Sequence, residues 1–234
     1  MLNLRTDVRN IAVKLNIIAG IAALGLLLFP MPAAAQSQVN SSLAHRALQE
    51  CEQGRAAGSR EARLAHFQQG QTLGEQAVAS DDRSADAHFA LFCNLGEQLR
   101  LDGESLTSVF GFRRMMNELD RALELDPAHI DALSAKGTLL VKLPALLGGD
   151  LEKGEQLLQH VVKLAPKAVN ARLALAKVRC ERGRHQEALR LAFDALDIAQ
   201  KHNRVTFVSE AKAVLQQLHH NAPNTATASY KPRL

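Results

Sequence analysis

The residues best suited to chemistry in this 234-residue chain are three cysteines and nine histidines, and neither set has the spacing of a catalytic or metal site. Cys51, Cys93 and Cys180 include no C-x-x-C pair. In an exported protein two of them could form a disulfide, and the odd count leaves at least one thiol; three buried thiols are the alternative. Only His219 and His220 are neighbours, and adjacent helix residues do not face each other. Neither set therefore predicts a reaction.

Motifs of the common enzyme classes are missing from the sequence. There is no G-x-S-x-G, no H-E-x-x-H and no glycine-rich phosphate loop, which are patterns that place a nucleophile, a zinc ion or a phosphate. The segment GGDLEKG at 148–154 has glycines and a lysine without the phosphate-loop spacing. We therefore expect no enzymatic activity, no cofactor and no metal site, and a function in binding.

The first 35 residues have the composition of a secretory signal peptide. Three basic residues within 1–16 precede an apolar run at 17–29, and Ala33-x-Ala35 follows it, which is the order of regions in such a signal. The run is shorter than the ~20 residues of a membrane-spanning helix, although an uncleaved anchor is the alternative. We predict a periplasmic or secreted protein with Gln36 as its mature start, which would touch the membrane only through this segment if it stayed uncleaved.

The charge of the chain does not indicate a nucleic-acid partner. The signal segment holds three of the 28 basic residues and one of the 24 acidic residues, so the remainder is close to neutral. Nucleic-acid-binding domains instead have a clustered excess of basic residues. The expected partner is a protein or peptide, and the oligomeric state stays open.

Apolar residues recur at three- and four-residue intervals through the rest of the chain, which is the periodicity of amphipathic helices. In 169–200, Ala171, Leu175 and Ala176 mark the buried face of a first helix, and Gly183 makes the turn. The second helix has small residues for close packing, namely Ala188, Ala192 and Ala195. Nine helices are predicted, at 38–54, 59–80, 84–101, 104–125, 129–142, 151–164, 167–182, 184–200 and 204–219.

The pairing of these helices resembles the tetratricopeptide repeat. The position after each second helix falls at Pro127, Pro166 and Gln200, at spacings of 39 and 34 residues, and 34 residues is the period of this family. The resemblance implies an all-α, right-handed solenoid of about four stacked hairpins with a C-terminal capping helix. The repeat domain is predicted at 36–220, followed by a disordered tail at 221–234, which lacks periodicity.

In tetratricopeptide proteins the first helix of each pair lines a concave groove, so the resemblance implies a set of partner-binding residues. They are Asp86, Phe89, Cys93 and Glu97 in one repeat, Asp131, Ser134, Thr138 and Lys142 in the next, and Asn170, Leu173, Lys177 and Glu181 in the last. Members that clamp acidic tails use asparagine with basic residues, and only Asn170 and Lys177 match that pattern. An ordinary solvated face is the alternative.

The same repeat phase gives the cysteines a candidate pairing. Cys51 and Cys93 fall near the same place in the first helices of consecutive repeats. The family's first helices pack side by side, so the resemblance allows a disulfide between Cys51 and Cys93, with three buried thiols still the alternative.

A second candidate surface is an apolar rim at two neighbouring insertions. Leu106 and Phe110 lie in the hairpin that is longer than the repeat period, and Leu146 and Leu147 lie in the next turn. Insertions in repeat proteins often project on the binding face. The alternative is that the two clusters bury each other.

We therefore expect an exported, non-enzymatic tetratricopeptide adaptor that binds a protein or peptide in the cell envelope. The alternative follows from the stretch GGDLEKGEQLLQHVVKLAP at 148–166, which is similar to the tetratricopeptide component associated with TRAP-type solute transporters. That resemblance implies a hydrophobic solute as ligand and a periplasmic solute-binding protein as partner.

Overall fold

The computed structural model describes residues 33–102 and 108–220, and every element in those ranges is helical. The helices are α1 (Ala33–Ala56), α2 (Arg60–Ser80), α3 (Ala85–Asp102), α4 (Ser108–Leu125), α5 (Ile130–Lys142), α6 (Leu151–Leu164), α7 (Val169–Glu181), α8 (His185–Lys201) and α9 (Val205–His220), with a 3₁₀ turn at Ala145–Leu147 between α5 and α6. The predicted helices α2, α3 and α5 to α9 begin and end within two residues of these bounds. Helix α1 begins earlier than predicted. Helix α4 begins later, just after the undescribed residues 103–107.

The chain divides into two compact units, Met1–Ala35 and Gln36–Leu234. The predicted signal segment lies almost wholly outside the described residues, and the predicted tail at 221–234 lies outside them entirely. Within the described ranges, no helix has the length and apolar character needed to cross a membrane.

Consecutive helices form four hairpins, α1 with α2 through α7 with α8, and α9 follows the last. Helix α7 contacts both α5 and α9, whereas no even-numbered pair makes comparable contact in the described ranges. Around α7, the first helices of successive hairpins therefore lie closer to one another than the second helices do. This is the all-α helical-repeat solenoid that the tetratricopeptide resemblance implies. We call the exposed side of α3, α5, α7 and α9 the inner wall.

The hairpin α7–α8 shows why these residues form closely packed helices. Ala171 and Ala176 of α7 and the three predicted alanines of α8 are all fully buried. An alanine offers no side chain beyond Cβ, so neighbouring backbones can approach while large residues such as Leu173 and Leu189 fill the remaining space. Burying each such leucine stabilises the fold by about 2 kcal/mol.

The turns and caps follow from particular residues. Gly183, between α7 and α8, has φ +73°, a conformation that costs other residues about 1 kcal/mol or more. Gly148 has φ +85° after the 3₁₀ turn. Helix α3 begins where the Ser84 hydroxyl accepts from Ala87 N–H at 3.2 Å, and α6 begins where the Asp150 carboxylate accepts from Lys153 N–H at 3.0 Å. Such side-chain acceptors satisfy N–H groups that the first turn of a helix leaves without a partner.

Helix α9 covers the apolar face of the last hairpin. Its buried residues pack against the core of α7 and α8, and they are Phe207, Ala211, Val214, Leu215 and Leu218. Solenoids need such a terminal helix because the last repeat would otherwise leave apolar surface in water. The predicted capping role of this helix is confirmed.

Candidate partner-binding surface

The inner wall gathers charges from four helices around Lys142 of α5. Groups that act electrostatically on Lys142 are Lys177 of α7, Glu210 of α9, and Arg100 and Glu97 of α3. Three of these five residues, Glu97, Lys142 and Lys177, are predicted groove positions. The structure therefore brings together, on one surface, side chains that lie 45 and 35 positions apart in sequence.

Glu97 is the anionic centre of this surface. Its carboxylate accepts from Arg55 Nε at 2.7 Å and from Arg100 Nη2 at 2.6 Å. Burial alone would raise the pKa of Glu97, but the two guanidinium groups outweigh burial, and the pKa lies below its ordinary value. Glu97 is therefore ionised at neutral pH and already neutralised by its own neighbours.

Lys142 and Lys177 form no ion pair within the described residues, although Glu210 and Glu97 act on Lys142 from a distance and partly favour its charge. Although the Lys142 side chain still reaches solvent, burial by the wall lowers its pKa, and the positive charge of Lys177 lowers it further. We call these two residues the basic pair. An anionic group placed between them would remove the repulsion that now disfavours the charge on Lys142.

A cleft of about 480 Å³ opens at the other end of the same wall, where α5 and α7 begin. Its lining consists of Ile130, Asp131, Ser134, Ala165, Pro166, Lys167, Ala168, Val169, Asn170 and Arg204. Three predicted groove residues, Asp131, Ser134 and Asn170, are among them. The prediction did not include Lys167, which belongs to the loop before α7, or Arg204, which directly precedes α9.

The repeat phase itself could have identified Arg204. Asp131 and Asn170 are 39 positions apart, and Asn170 and Arg204 are 34 apart, the same spacings as the repeat markers used above. Each of the three residues lines the cleft, although Asp131 and Asn170 are the second residues of α5 and α7 and Arg204 precedes α9. The predicted groove ends on α7 because the sequence predicts α9 only as a cap, whereas Glu210 and Arg204 show that α9 continues the inner wall.

Three predicted groove residues are wrong, because they are buried: Cys93, which is 7% exposed and bonded to Cys51, Phe89 and Leu173. Phe89 is 9% exposed and packs with Leu119 and Ala132, and Leu173 is 1% exposed within the core of the last hairpin. Each helical residue advances ~100° around the axis. The position three after Asp86 or Asn170 has therefore turned from the groove towards the partner helix.

The remaining predicted positions lie along the wall without forming one site. Asp86 is exposed and lies 3.2 Å from His129 Nε2. Ser134 is buried and donates its hydroxyl to Ile130 C=O at 2.7 Å, while Thr138 donates to Ser134 C=O at 2.8 Å. Glu181 is exposed at the end of α7. Ser134 and Thr138 are therefore partly satisfied by their own helix and are weak candidates for contact with a partner.

The structure joins Cys51 of α1 to Cys93 of α3 in a disulfide, with the two Cα atoms 6.3 Å apart. Both residues are buried.

The third cysteine, Cys180, is free, and its Sγ atom lies 3.4 Å from His185 Nδ1. Burial and the neighbouring Glu181 raise the pKa of the Cys180 thiol, so its environment is the opposite of one that activates a nucleophile.

The apolar rim is exposed where the structure describes it. Phe110 is 80% exposed, Leu146 is 95% exposed and Leu147 is 55% exposed, so the alternative that these clusters bury each other is wrong for these residues. Leu106 lies outside the described residues. None of these three exposed residues lines the cleft.

A buried ionic cluster at the turn between α7 and α8 was not predicted. Glu155 of α6 is 6% exposed, and its carboxylate accepts from Arg179 Nη1 at 2.6 Å and from Arg182 Nε at 2.9 Å. It connects α6 to the end of α7 and faces the core, which makes it part of the scaffold.

In the described part of the chain, no group of three or more His, Cys, Asp or Glu side chains could hold a metal ion.

No family model matches this chain, and no curated protein matches it. Among solved structures, it is similar to TTC0263, a tetratricopeptide protein of Thermus thermophilus, at 19% identity over 76% of this chain and 99% of that chain, with a TM-score of 0.49. It is also similar to PilF of Pseudomonas aeruginosa, at 16% identity over 78% of each chain and a TM-score of 0.48. A third is YrrB, a tetratricopeptide protein with an unusual peptide-binding site, at 16% identity over 64% of this chain and 85% of that chain, with a TM-score of 0.34.

Proposed function

We propose that this chain is an exported, non-enzymatic adaptor that binds an acidic segment of a partner protein along its inner wall. The observation that carries this proposal is the basic pair, Lys142 and Lys177, two cations of the wall that lack an ion-pair partner in the described residues. The Glu97 carboxylate nearby is already held by two arginines. The wall therefore offers unpaired positive charge to a ligand.

A rigid stack of helices suits this role, since its surface is ordered before the partner arrives. A carboxylate of the partner that reaches Lys142 replaces lysine–lysine repulsion by attraction. Charge-assisted hydrogen bonds of this kind contribute about 1.5–3 kcal/mol each where they exclude water. The electrostatic free energy that disfavours the charged form of Lys142 in the free protein is therefore offset when the partner binds.

We further propose that residues 1–35 are a cleavable signal, that 36–220 form the repeat domain and that 221–234 are a disordered tail. The basic start, the apolar run and the alanine-rich end of the first segment support the signal. The Cys51–Cys93 disulfide supports export, because disulfides persist in oxidising compartments and are rare in the cytosol. The proposed location is the periplasm or the extracellular space.

The alternative function, binding of a hydrophobic solute and a solute-binding protein, draws on the exposure of the apolar rim. Phe110, Leu146 and Leu147 offer apolar surface to a partner. They do not line the cleft of the inner wall, so the rim by itself favours a protein surface over an enclosed solute. Retention of a small molecule by the purified protein in native mass spectrometry would favour the solute alternative.

The proposal is tested by comparing what the wild type and three variants capture from a periplasmic extract. Lys142→Gln and Lys177→Gln remove the basic pair, whereas Lys163→Gln removes an exposed charge from α6, outside the inner wall. We expect one or more acidic proteins to be captured by the wild type and Lys163→Gln and to be lost with the other two. Equal capture by all four proteins would reject the basic pair as the binding determinant.

Crosslinking in cells separates the wall from the rim. A photoreactive residue placed at Glu181, exposed one helical turn after Lys177, leaves the basic pair intact and should crosslink the same acidic partner that the extract experiment identifies. A photoreactive residue at Phe110, on the rim, should not crosslink that partner. Crosslinks from Phe110 alone would indicate that the rim, and not the inner wall, binds the partner.

A further inference from the structure

We infer that the cleft where α5 and α7 begin is a peptide subsite, which takes an apolar side chain followed by a carboxylate. This inference rests on the proposed function, since it assumes that the inner wall is a binding surface, and it adds the chemistry of the partner segment. The cleft, with Arg204 and Lys167 at its edge, lies apart from the basic pair, which is absent from its lining.

The floor of the cleft is apolar. Five of its ten lining residues are Ile130, Ala165, Pro166, Ala168 and Val169. Such a floor excludes water from an aliphatic side chain of a ligand, and this burial is favourable in proportion to the apolar area. A volume of about 480 Å³ lies in the range of small-ligand sites, which is ample for one such side chain and its adjoining backbone.

The edge of the cleft holds polar side chains that the fold leaves unused. Lys167 and Arg204 form no ion pair in the described residues, and the side chains of Asp131 and Asn170 have no hydrogen-bond partner there. By contrast, most arginines on neighbouring turns are paired, as Arg179 and Arg182 are with Glu155. Two unpaired cations beside an apolar floor indicate an apolar ligand with a negative group at one end.

The Arg204 side chain is positioned to bind the negative group of the ligand. Its guanidinium carbon lies 4.1 Å from the centre of the Phe207 ring, an arrangement in which the ring fixes the guanidinium plane through a cation–π contact. Stacking engages the face of the guanidinium and leaves its N–H edge available for a carboxylate, which it can bind through two parallel hydrogen bonds.

Asp131 gives the subsite a direction. It belongs to α5, and Arg204 precedes α9, so the two lie on opposite sides of α7, which contacts both helices. A peptide that crosses the start of α7 would place its carboxylate near Arg204 and its N–H groups or a basic residue near Asp131. The Asn170 amide, between them in the repeat order, can bind a backbone N–H or C=O.

The open form of the cleft favours a peptide over a free small molecule. Pro166, Lys167, Asp131 and Arg204 are all exposed, and Ala165 and Ala168 are half-buried. Sites for small ligands enclose most of the ligand surface, whereas a peptide needs only its side chain covered. The inferred occupant is therefore a segment of a partner protein, with a residue such as leucine directly before glutamate or aspartate.

The test uses the full chain and three short peptides, each acetylated and amidated, with the order Gly-Ala-Leu-Glu-Gly, Gly-Ala-Leu-Gln-Gly or Gly-Ala-Leu-Lys-Gly. Titration is followed by amide shifts in NMR spectra, which locate a weak ligand. We expect the glutamate peptide to shift the amides of Ser134, Lys167 and Asn170 and to bind about tenfold more tightly than the glutamine peptide.

Charge reversal provides the decisive comparison. Arg204→Glu, and separately Lys167→Glu, should lose the preference for the glutamate peptide, and Arg204→Glu should prefer the lysine peptide. Lys163→Gln, which removes an exposed charge of α6 outside the inner wall, should bind the glutamate peptide as the wild type does. Thermal unfolding of each variant checks that it is folded, and both substitutions lie at exposed loop positions.

Three results would overturn the inference: no shifts in the cleft, equal binding of the glutamate and glutamine peptides, or no change of preference in either reversal variant. Failure here is distinct from failure of the proposed function. If capture from extract depends on Lys142 and Lys177 but the peptides cause no amide shifts in the cleft, the proposed function is supported and the subsite is rejected. If the peptides bind in the cleft as expected but capture does not depend on the basic pair, the subsite is supported and the basic pair is rejected as the binding determinant.

Discussion

Arg55 of α1 and Glu97 of α3 form a 2.7 Å ion pair directly beside the Cys51–Cys93 disulfide, and Arg55 Nη2 also lies 3.4 Å from Cys93 Sγ. The covalent bond and the ion pair thus join the same two helices one helical turn apart. Since α1 and α3 are separated in sequence by all of α2, these two links fix the first hairpin against the second.

The ion pair predicts how stability depends on pH. The pKa of Glu97 is lowered in the folded state, so its contribution to the free energy of unfolding is present above the unfolded pKa and is lost as the pH falls through the folded value. Glu97→Gln should reduce stability by about 1–2 kcal/mol at neutral pH and flatten its decline below pH ~4.5. Urea unfolding across this range measures both, with Glu52→Gln, exposed on α1, as the control. Parallel pH profiles for wild type and Glu97→Gln would contradict the assignment.

The disulfide predicts a larger effect. It closes a loop of 42 residues, and the loss of chain entropy in the unfolded state at that length corresponds to about 4 kcal/mol as an upper value. Replacing Cys51 and Cys93 together by alanine should lower the free energy of unfolding by about 2–4 kcal/mol. Cys180→Ser should change it far less. Thiol titration of the untreated, denatured protein should find one free thiol, and a count of three would disprove the bridge.

Core and rim leucines should respond differently to the same substitution. Leu189 of α8 is 1% exposed, whereas Leu146 is 95% exposed. Leu189→Ala should destabilise the protein by about 2–5 kcal/mol through lost burial and a cavity, and Leu146→Ala should leave its stability within about 0.5 kcal/mol. Chemical denaturation of the two variants makes the comparison. Similar losses would mean that the rim is buried after all.

The turn between α7 and α8 predicts a purely backbone effect. A Cβ at Gly183 would meet no other atom within 4 Å, but its φ of +73° is unfavourable for alanine. Gly183→Ala should therefore cost about 1 kcal/mol or more. Gly58, between α1 and α2, has equally open surroundings without a positive φ, so Gly58→Ala should be neutral or slightly stabilising. A neutral Gly183→Ala would mean that the turn can adopt another conformation.

The basic pair predicts that stability and binding change in opposite directions. Burial lowers the pKa of Lys142 in the folded state, so its charge opposes folding at every pH below that folded pKa, and the penalty disappears once the pH exceeds the unfolded pKa. At neutral pH, Lys142→Gln should raise the free energy of unfolding by up to about 1 kcal/mol, allowing for solvent screening, while weakening partner binding. Thermal and urea unfolding measure the first effect, and Lys163→Gln is the control. A loss of stability in Lys142→Gln would show that the lysine is paired in solution.

The sequence predicted the helices better than the directions of their side chains. Periodicity, proline positions and glycines locate helix ends, because proline and glycine act through their own backbone, as Gly183 does at the turn before α8. Phe89 and Leu173 were misplaced because the third residue after a groove position lies ~60° around the helix from it, and only the position of the neighbouring helix decides whether such a residue is buried. The cluster around Glu155 could not be predicted, since its partners come from α7 and a turn that periodicity does not orient.

Helix α9 has a consequence for assembly. Its inner face is apolar and covered, while its outer face carries polar residues such as Ser209, Lys212 and Gln216, all exposed. A repeat array with a bare last hairpin could lengthen indefinitely by docking copies end on end, as a fibre does. Because the exposed face of α9 is mainly polar, a further hairpin that docked there would bury little apolar surface and would gain little free energy.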